Sequence, residues 1–455
     1  MNVHKKNGIY TIGVFILSIL SGCSSEFLNI KPDKALVVPK KLDDFEALMR
    51  NFNIMTEQNA PYYGEVGADD YFLTDNSWET LSQESLKNAY VWAEDIYGSA
   101  STEHQWNRPY QTVFYANVAL EGAMGHAKSP QRDRVEGAAR FHRAWIHYLM
   151  LNTFAKQYDP ATANSDWGIP LRLVSDTDIP TKRATVQESY DQIIEDLTIA
   201  SELLPNLGVT AARASKHAAY TLLSRVMLQI ENYAGSLEYA DKALAIKGTL
   251  MDYRLIDTTL SSPFEQMNEE VVYRTNFSAQ PLSQARLQVD PGLYQSYVKD
   301  DLRRSLYFFD NGGILTFKGS YDGFTSSTHK FAGMAMDELY LMKAECHARL
   351  GQPDAAMETL NHLLKYRFND NFIPLQAIDA DEALILVLEE RRKELVFRGI
   401  RWFDLKRLNR DPRFAKTLTR TVSGVTYSLE PQSPRYVFPL PPDVIELGNY
   451  PQNER

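Results

Sequence analysis

Apolar positions recur at steps of three and four over most of this chain, the spacing of one face of an α-helix. Phe45, Leu48, Met49 and Phe52 predict a helix over residues 43–52. Residues 113–124 and 137–158 predict two longer amphipathic helices; in the second, Ala138, Phe141, Trp145, Tyr148, Leu149 and Asn152 share a face. Helices follow over 185–204, 215–233 and 235–246, the first opened by Thr185 with Glu188 three positions on, a capping box. A later pair covers 335–351 and 353–368, with Gly351 placed to end one helix and Pro353 to start the next.

Between these lie stretches without a helical period. Residues 54–108 are polar and aromatic and read as loops and short helices. Residues 250–330 interrupt the helices with "EEVVYRTNF", a predicted strand, and a Gly-rich hairpin region, "GGILTFKGSYDGF". Residues 420–444 predict a small hairpin and then an extended proline-rich segment. Small residues at the helix contacts, among them Ala344, Ala348, Ala355 and Ala356, make the helix pairs resemble divergent tetratricopeptide repeats. The predicted class is mainly α: helix pairs forming a scaffold, with an irregular loop-rich half holding a few short strands.

The first 22 residues change the picture. Lys5 and Lys6 precede an apolar run from Ile9 to Leu20. That run is shorter than the ~20 residues a bilayer span needs and predicts a secretory signal. It ends in Leu20-Ser21-Gly22-Cys23, which resembles a bacterial lipobox and makes Cys23 the expected lipidation site. The expected product is exported and held to a membrane by lipid.

The formal charge of −10 argues against general binding to nucleic acid, which rests on neutralising phosphates. It argues equally against docking on anionic lipid through the protein surface. With two cysteines, Cys23 and Cys346, at most one bridge could form, and a lipid on Cys23 would leave Cys346 a buried thiol in a helix.

Residues 391–410, "RRKELVFRGIRWFDLKRLNR", hold eight Lys or Arg, yet Glu389, Glu390, Glu394 and Asp404 stand among or beside them. Local neutralisation and a structural role are expected there, on a helix over 382–396 and a shorter one after Gly399 that places Trp402 and Leu405 on one side.

With residue 390 added, "ERRKELVFRGIRWFDLKRL" resembles the C-terminal signature of the SusD/RagB family of Bacteroidetes outer-membrane lipoproteins. In chain order, "WNRPYQTVFYANVALEG", "GAARFHRAWIHYLMLNTF", "DWGIPL", "ARASKHAAYTLLSRVML", "DELYLMKAECHARLG" and "YVFPLPPDVI" resemble other segments of that family. The resemblance implies a surface lipoprotein on a tetratricopeptide-like scaffold, lying over a SusC-like TonB-dependent transporter. It implies capture of an oligosaccharide or a peptide and a place at the outer membrane. The expected divisions are a signal over 1–22, an N-terminal region of helix pairs over 23–245, an insertion over 246–330 and a C-terminal region over 331–455.

No catalytic, cofactor or metal motif emerges. The chain has no phosphate-binding Gly-Lys-Ser/Thr loop, no Gly-x-Ser-x-Gly and no His-Glu-x-x-His. His142 and His147, five apart, do not share a zinc-binding face. Adjacent acids such as Asp69/Asp70, Glu269/Glu270 and Asp300/Asp301 are what a glycoside hydrolase would draw on, and with 58 acidic residues such pairs arise by chance. A ligand-capturing protein needs aromatic rings with hydrogen-bonding neighbours. Residues 69–78 and 307–324 have that mixture and supply Tyr71, Asp75, Asn76, Trp78, Tyr307, Phe309 and Tyr321 as candidate ligand residues. Trp78 follows Asp75, Asn76 and Ser77, turn-forming residues that would push its indole outward.

Overall fold

A computed structural model describes residues 39–99, 104–325 and 327–455; Cys23 and the signal lie outside them. The chain enters through α1 (Leu42–Met49) and α2 (Phe52–Met55), which rest on the long helices that follow. Helix α3 (Tyr63–Gly67) then leads into strand β1 (Tyr71–Leu73) and two short helices, α4 (Asp75–Glu79) and α5 (Glu84–Tyr90). The irregular reading of this segment holds except for β1, whose three residues are too few to show a period.

The scaffold begins with α6 (His104–Met124) and α7 (Pro130–Phe154). Ser129 caps α7 by accepting the Arg132 N–H at 3.2 Å, with Pro130 in the first turn, where its missing N–H costs nothing. Amphipathic spacing fits only the first half of α7: every residue from Phe141 to Phe154 is buried, because α6, α8 and α9 cover several faces at once. Strands β2 (Trp167–Pro170) and β3 (Arg183–Thr185) form a ribbon leading into α8 (Val186–Leu203). The capping box is as expected: Thr185 Oγ1 accepts the Glu188 N–H at 3.1 Å and Glu188 accepts the Thr185 N–H at 2.8 Å. Helices α9 (Lys216–Gln229) and α10 (Tyr233–Ile246) complete this run of neighbours.

Between α10 and the next long helix lie β4 (Val271–Tyr273), β5 (Asn276–Ser278), β6 (Leu287–Val289), α11 (Pro291–Ser296), α12 (Arg303–Tyr307), β7 (Phe308–Asn311), β8 (Ile314–Phe317), β9 (His329–Phe331) and β10 (Met334–Ala335), the last two reaching past residue 330. The single strand expected near residues 269–277 is two. Arg274 breaks it by turning inward to Asp322 at 2.9 Å and Glu57 at 2.6 Å, with Phe324 and Phe52 beside its guanidinium. Strand β4 therefore pairs with β10, and β5 with β9.

The chain returns to the scaffold through α13 (Met336–Arg349), α14 (Pro353–Leu364) and α15 (Ala380–Glu394). Gly351, at φ +74°, ends α13 as its position predicted. Helix α16 (Arg401–Leu408), the hairpin β11 (Leu418–Val422)–β12 (Val425–Leu429) and α17 (Pro442–Gly448) close the fold. The described residues contain no helix long and apolar enough to cross a membrane. Cys346 is buried, which pushes its thiol up to about 12 and keeps it protonated.

The basic stretch is structural, but its neutralisation is mostly not local. Arg391 reaches Asp404 at 2.8 Å, Arg392 reaches Asp70 at 2.9 Å, and Arg401 reaches Asp69 at 2.7 Å. Arg398 reaches Asp337 at 3.0 Å and Arg407 reaches Glu345 at 2.8 Å. Only Lys393 to Glu390 and Arg407 to Asp404 are helical neighbours. The intervening Phe397 and Gly399, at φ +57° and +74°, turn the chain between α15 and α16 and aim these cations at separate elements.

Candidate functional site

The fold brings the two candidate segments to one surface. Strand β1 pairs antiparallel with β6, Phe72 opposite Gln288, and β6 lies beside β8 of the β7–β8 hairpin. Alternation along β1 buries Tyr71 and Leu73 and leaves Phe72 39% exposed. Alternation along β6 buries Leu287 and Val289 and turns Gln288 outward. In the hairpin, Phe308 and Phe317 are paired and buried, while Phe309 and Thr316 are half-buried partners. Gly312 and Gly313, both at positive φ, form its tip, where Asp310 accepts the Gly313 N–H at 2.8 Å. The result is an exposed aromatic ring beside an amide, with Asn76, Asp310 and Asn311 exposed on the adjoining elements.

The candidate residues divide by burial. Tyr71, Tyr307 and Tyr321 are core groups. The Tyr71 hydroxyl donates to the Val66 carbonyl at 2.9 Å, that of Tyr307 stands 3.0 Å from the Tyr253 hydroxyl, and that of Tyr321 donates to Glu270. Asp75 is exposed but accepts the Ser423 N–H at 2.8 Å, tying α4 to the β11–β12 turn. Trp78 does not point outward from a turn. Thr74 caps α4 by accepting the Ser77 N–H at 3.2 Å, and the helix carries the indole inward, half-buried, to donate to the Lys87 carbonyl at 3.1 Å. Phe309 is half-buried, with the Lys318 ammonium 4.9 Å above its ring. Phe72 and Gln288 were not among the candidates. "YFL" is three apolar residues with no alternation to read, and Gln288 is marked only by its strand partner 216 positions away.

The acid pairs are split by their surroundings. Asp70, Glu270 and Asp301 are each buried on an arginine, Arg392, Arg367 and Arg303 respectively. Glu65 is also sealed in the interior. Its carboxyl is pushed up to about 8, first by burial and then by the neighbouring Asp70. His142 and His147 are buried inside the scaffold, which pushes both down to about 3 and keeps them neutral. Among the described residues, no three His, Cys, Asp or Glu side chains gather as a metal site would require.

Comparison with known proteins places this geometry among relatives. Residues 26–228 match the SusD-like family described as "Starch-binding associating with outer membrane", and residues 304–446 match the one described as "SusD family". A SusD-like protein of Formosa agariphila is 39% identical over 461 aligned residues, 83% of each chain. A crystal structure of a putative sugar binding protein from Bacteroides vulgatus superposes with a TM-score of 0.73 at 19% identity, covering 92% of this chain and 99% of that one. Surface glycan-binding protein A from Bacteroides fluxus gives 0.69 at 18% identity, covering 91% and 99%. These two likenesses establish a shared fold.

Proposed function

The chain belongs to the SusD family, and we propose that it is a cell-surface lipoprotein that captures an oligosaccharide and passes it to a SusC-like TonB-dependent transporter in the outer membrane. The observation that carries this reading is the exposed Phe72 ring beside Gln288 on the β1–β6 ribbon. A pyranose offers an apolar C–H face that stacks on such a ring, and its hydroxyls need the amides and carboxylates that Gln288, Asn76, Asp310 and Asn311 supply. The names of the relatives, sugar binding and glycan-binding, point to the same ligand class. The helix pairs serve as scaffold and the insertion over 246–330 carries the ligand-facing hairpin. Cys23 supplies the lipid anchor.

Titration calorimetry against glycan oligosaccharides and peptides tests the reading. Phe72→Ala is expected to weaken glycan binding by about 1–3 kcal/mol, the cost of removing an aromatic hot-spot contact. Its melting temperature should barely move, since the ring is already partly in water. Unchanged affinity for a glycan that the wild type binds would remove Phe72 from the site, and binding confined to peptides would overturn the ligand class. In cells, Cys23→Ala should release the protein from the membrane fraction; retention with lipid still attached would refute the anchor.

A further inference from the structure

We propose that a groove beside Trp167 is a second carbohydrate subsite, built for a neutral sugar ring and separate from the β1–β6 face. The groove encloses about 560 Å³, within the roughly 300–1,000 Å³ range of small-molecule sites. Its walls come from the loop after α7, the start of β2, the turn after α16, the segment after β12 and the last residues of the chain. None of these segments contributes to the β1–β6 face.

Trp167 stands at its rim. It is the first residue of β2, opposite Thr185, and the other three residues of that strand are buried. Trp167 is 47% exposed, and its indole N–H has no acceptor among the described residues. Leaving so large an apolar surface in water is unfavourable and gives nothing to the core. An indole presented this way offers a flat apolar face and a free donor, the two things a pyranose ring and its hydroxyls use.

The charges around the groove favour a ligand without net charge. Lys156 lies 2.7 Å from Asp166, and Arg410 lies 2.6 Å from Asp159 and 3.0 Å from Glu231. These two rim cations are each answered by a carboxylate, so the rim presents donors and acceptors side by side, as a vicinal diol requires. On the floor, the buried Lys406 ammonium donates to the Asn152 and Ala155 carbonyls at 2.7 and 2.6 Å. Burial without a carboxylate partner brings Lys406 down to about 7, so its positive charge is weakened where a ligand would approach. The exposed Gln432 amide donates to the Asn409 carbonyl at 3.1 Å, and no described residue donates to its oxygen.

The proposal takes from the preceding reading only that the ligand is a glycan. The test is an indole N–H titration by NMR on the ¹⁵N-tryptophan-labelled chain. The probes are maltohexaose, laminarihexaose, cellohexaose, xylohexaose and mannohexaose, each at millimolar concentration. The Trp167 signal is assigned by its loss in Trp167→Ala. At least one probe is expected to shift that signal, to do so equally in Phe72→Ala, and to bind at least tenfold more weakly in Trp167→Ala, with Trp167→Phe intermediate. Unchanged melting of these variants certifies their fold. If no probe moves the Trp167 signal, the subsite is refuted, whatever happens at Phe72. A shift that vanishes in Phe72→Ala also refutes it, because the two sites would then be one. If Phe72→Ala binds normally while the Trp167 signal still responds, the reading of the β1–β6 face fails and the groove stands.

Discussion

Trp402→Ala is expected to destabilise the protein by about 3–5 kcal/mol, the cost of deleting a fully buried large aromatic. Trp402 is completely inaccessible, and its indole N–H donates to the Tyr436 carbonyl at 3.0 Å. Its ring lies 4.7 Å from that of Tyr436 and 5.5 Å from that of Phe438. Helix α3 approaches it so closely that only glycine fits. A Cβ on either Gly64 or Gly67 would come within 2.9 Å of Trp402. One side chain thus joins α16, α3 and the C-terminal segment, and alanine would leave a cavity that three elements cannot close together. The loss is a large share of the 5–15 kcal/mol by which domains are usually stable. Urea denaturation measures it. A variant that unfolds like wild type but no longer binds glycan would show that Trp402 serves recognition instead.

Arg367→Met should cost a similar amount, about 3–5 kcal/mol, for an electrostatic reason. Arg367 is fully buried. It bonds both oxygens of Glu270 at 2.9 and 2.8 Å, Glu394 at 2.5 Å and the Met251 carbonyl at 2.9 Å. Glu394 keeps a second partner in Arg303 at 2.9 Å, but Glu270 has no other arginine. Methionine fills much of the volume and leaves the Glu270 carboxylate buried without its cation. Burial already raises that carboxyl from its ordinary 4.5 to about 7 against the pull of Arg367, and loss of the cation would raise it further. A raised folded pKa gives stability that is full below the unfolded value and lost as pH rises through the folded one. The gap between Arg367→Met and wild type should therefore widen as pH rises above about 7, where the wild-type carboxyl is ionised and the variant's is not, and be smaller and constant at lower pH. Adding Glu270→Gln should recover part of the loss at neutral pH, because no carboxyl then has to be protonated in order to be buried. Denaturation curves on either side of pH 7 check this; a gap independent of pH, with no rescue, would make the effect one of packing alone.

The elements that could be read from the chain are those whose signals are local. Thr185 and Glu188 are three residues apart and hydrogen-bond each other whatever surrounds them. Gly351 and Pro353 set backbone conformations by their own covalent structure, so the break between α13 and α14 was legible, as were the helix pairs built on a 3.6-residue period. The family signature at 390–408 was legible for the same reason, as a continuous string.

Other features depended on which segments meet. Tyr71 and Phe72 are neighbours of similar character, yet β6 decides that one is sealed and the other open. Trp78 and Trp167 both follow short polar runs. A capped helical turn folds the first back onto Lys87, while a two-strand ribbon holds the second at the lip of a groove. The basic stretch showed its acids nearby, but a turn at Phe397 and Gly399 sends most of its arginines to carboxylates on other elements, from Asp69 to Glu345. A charge or a ring in a sequence states what contact it can make. Which contact it makes is set by the long-range packing that removes its alternatives from reach, because a buried charge must be paired and a buried ring cannot also face water.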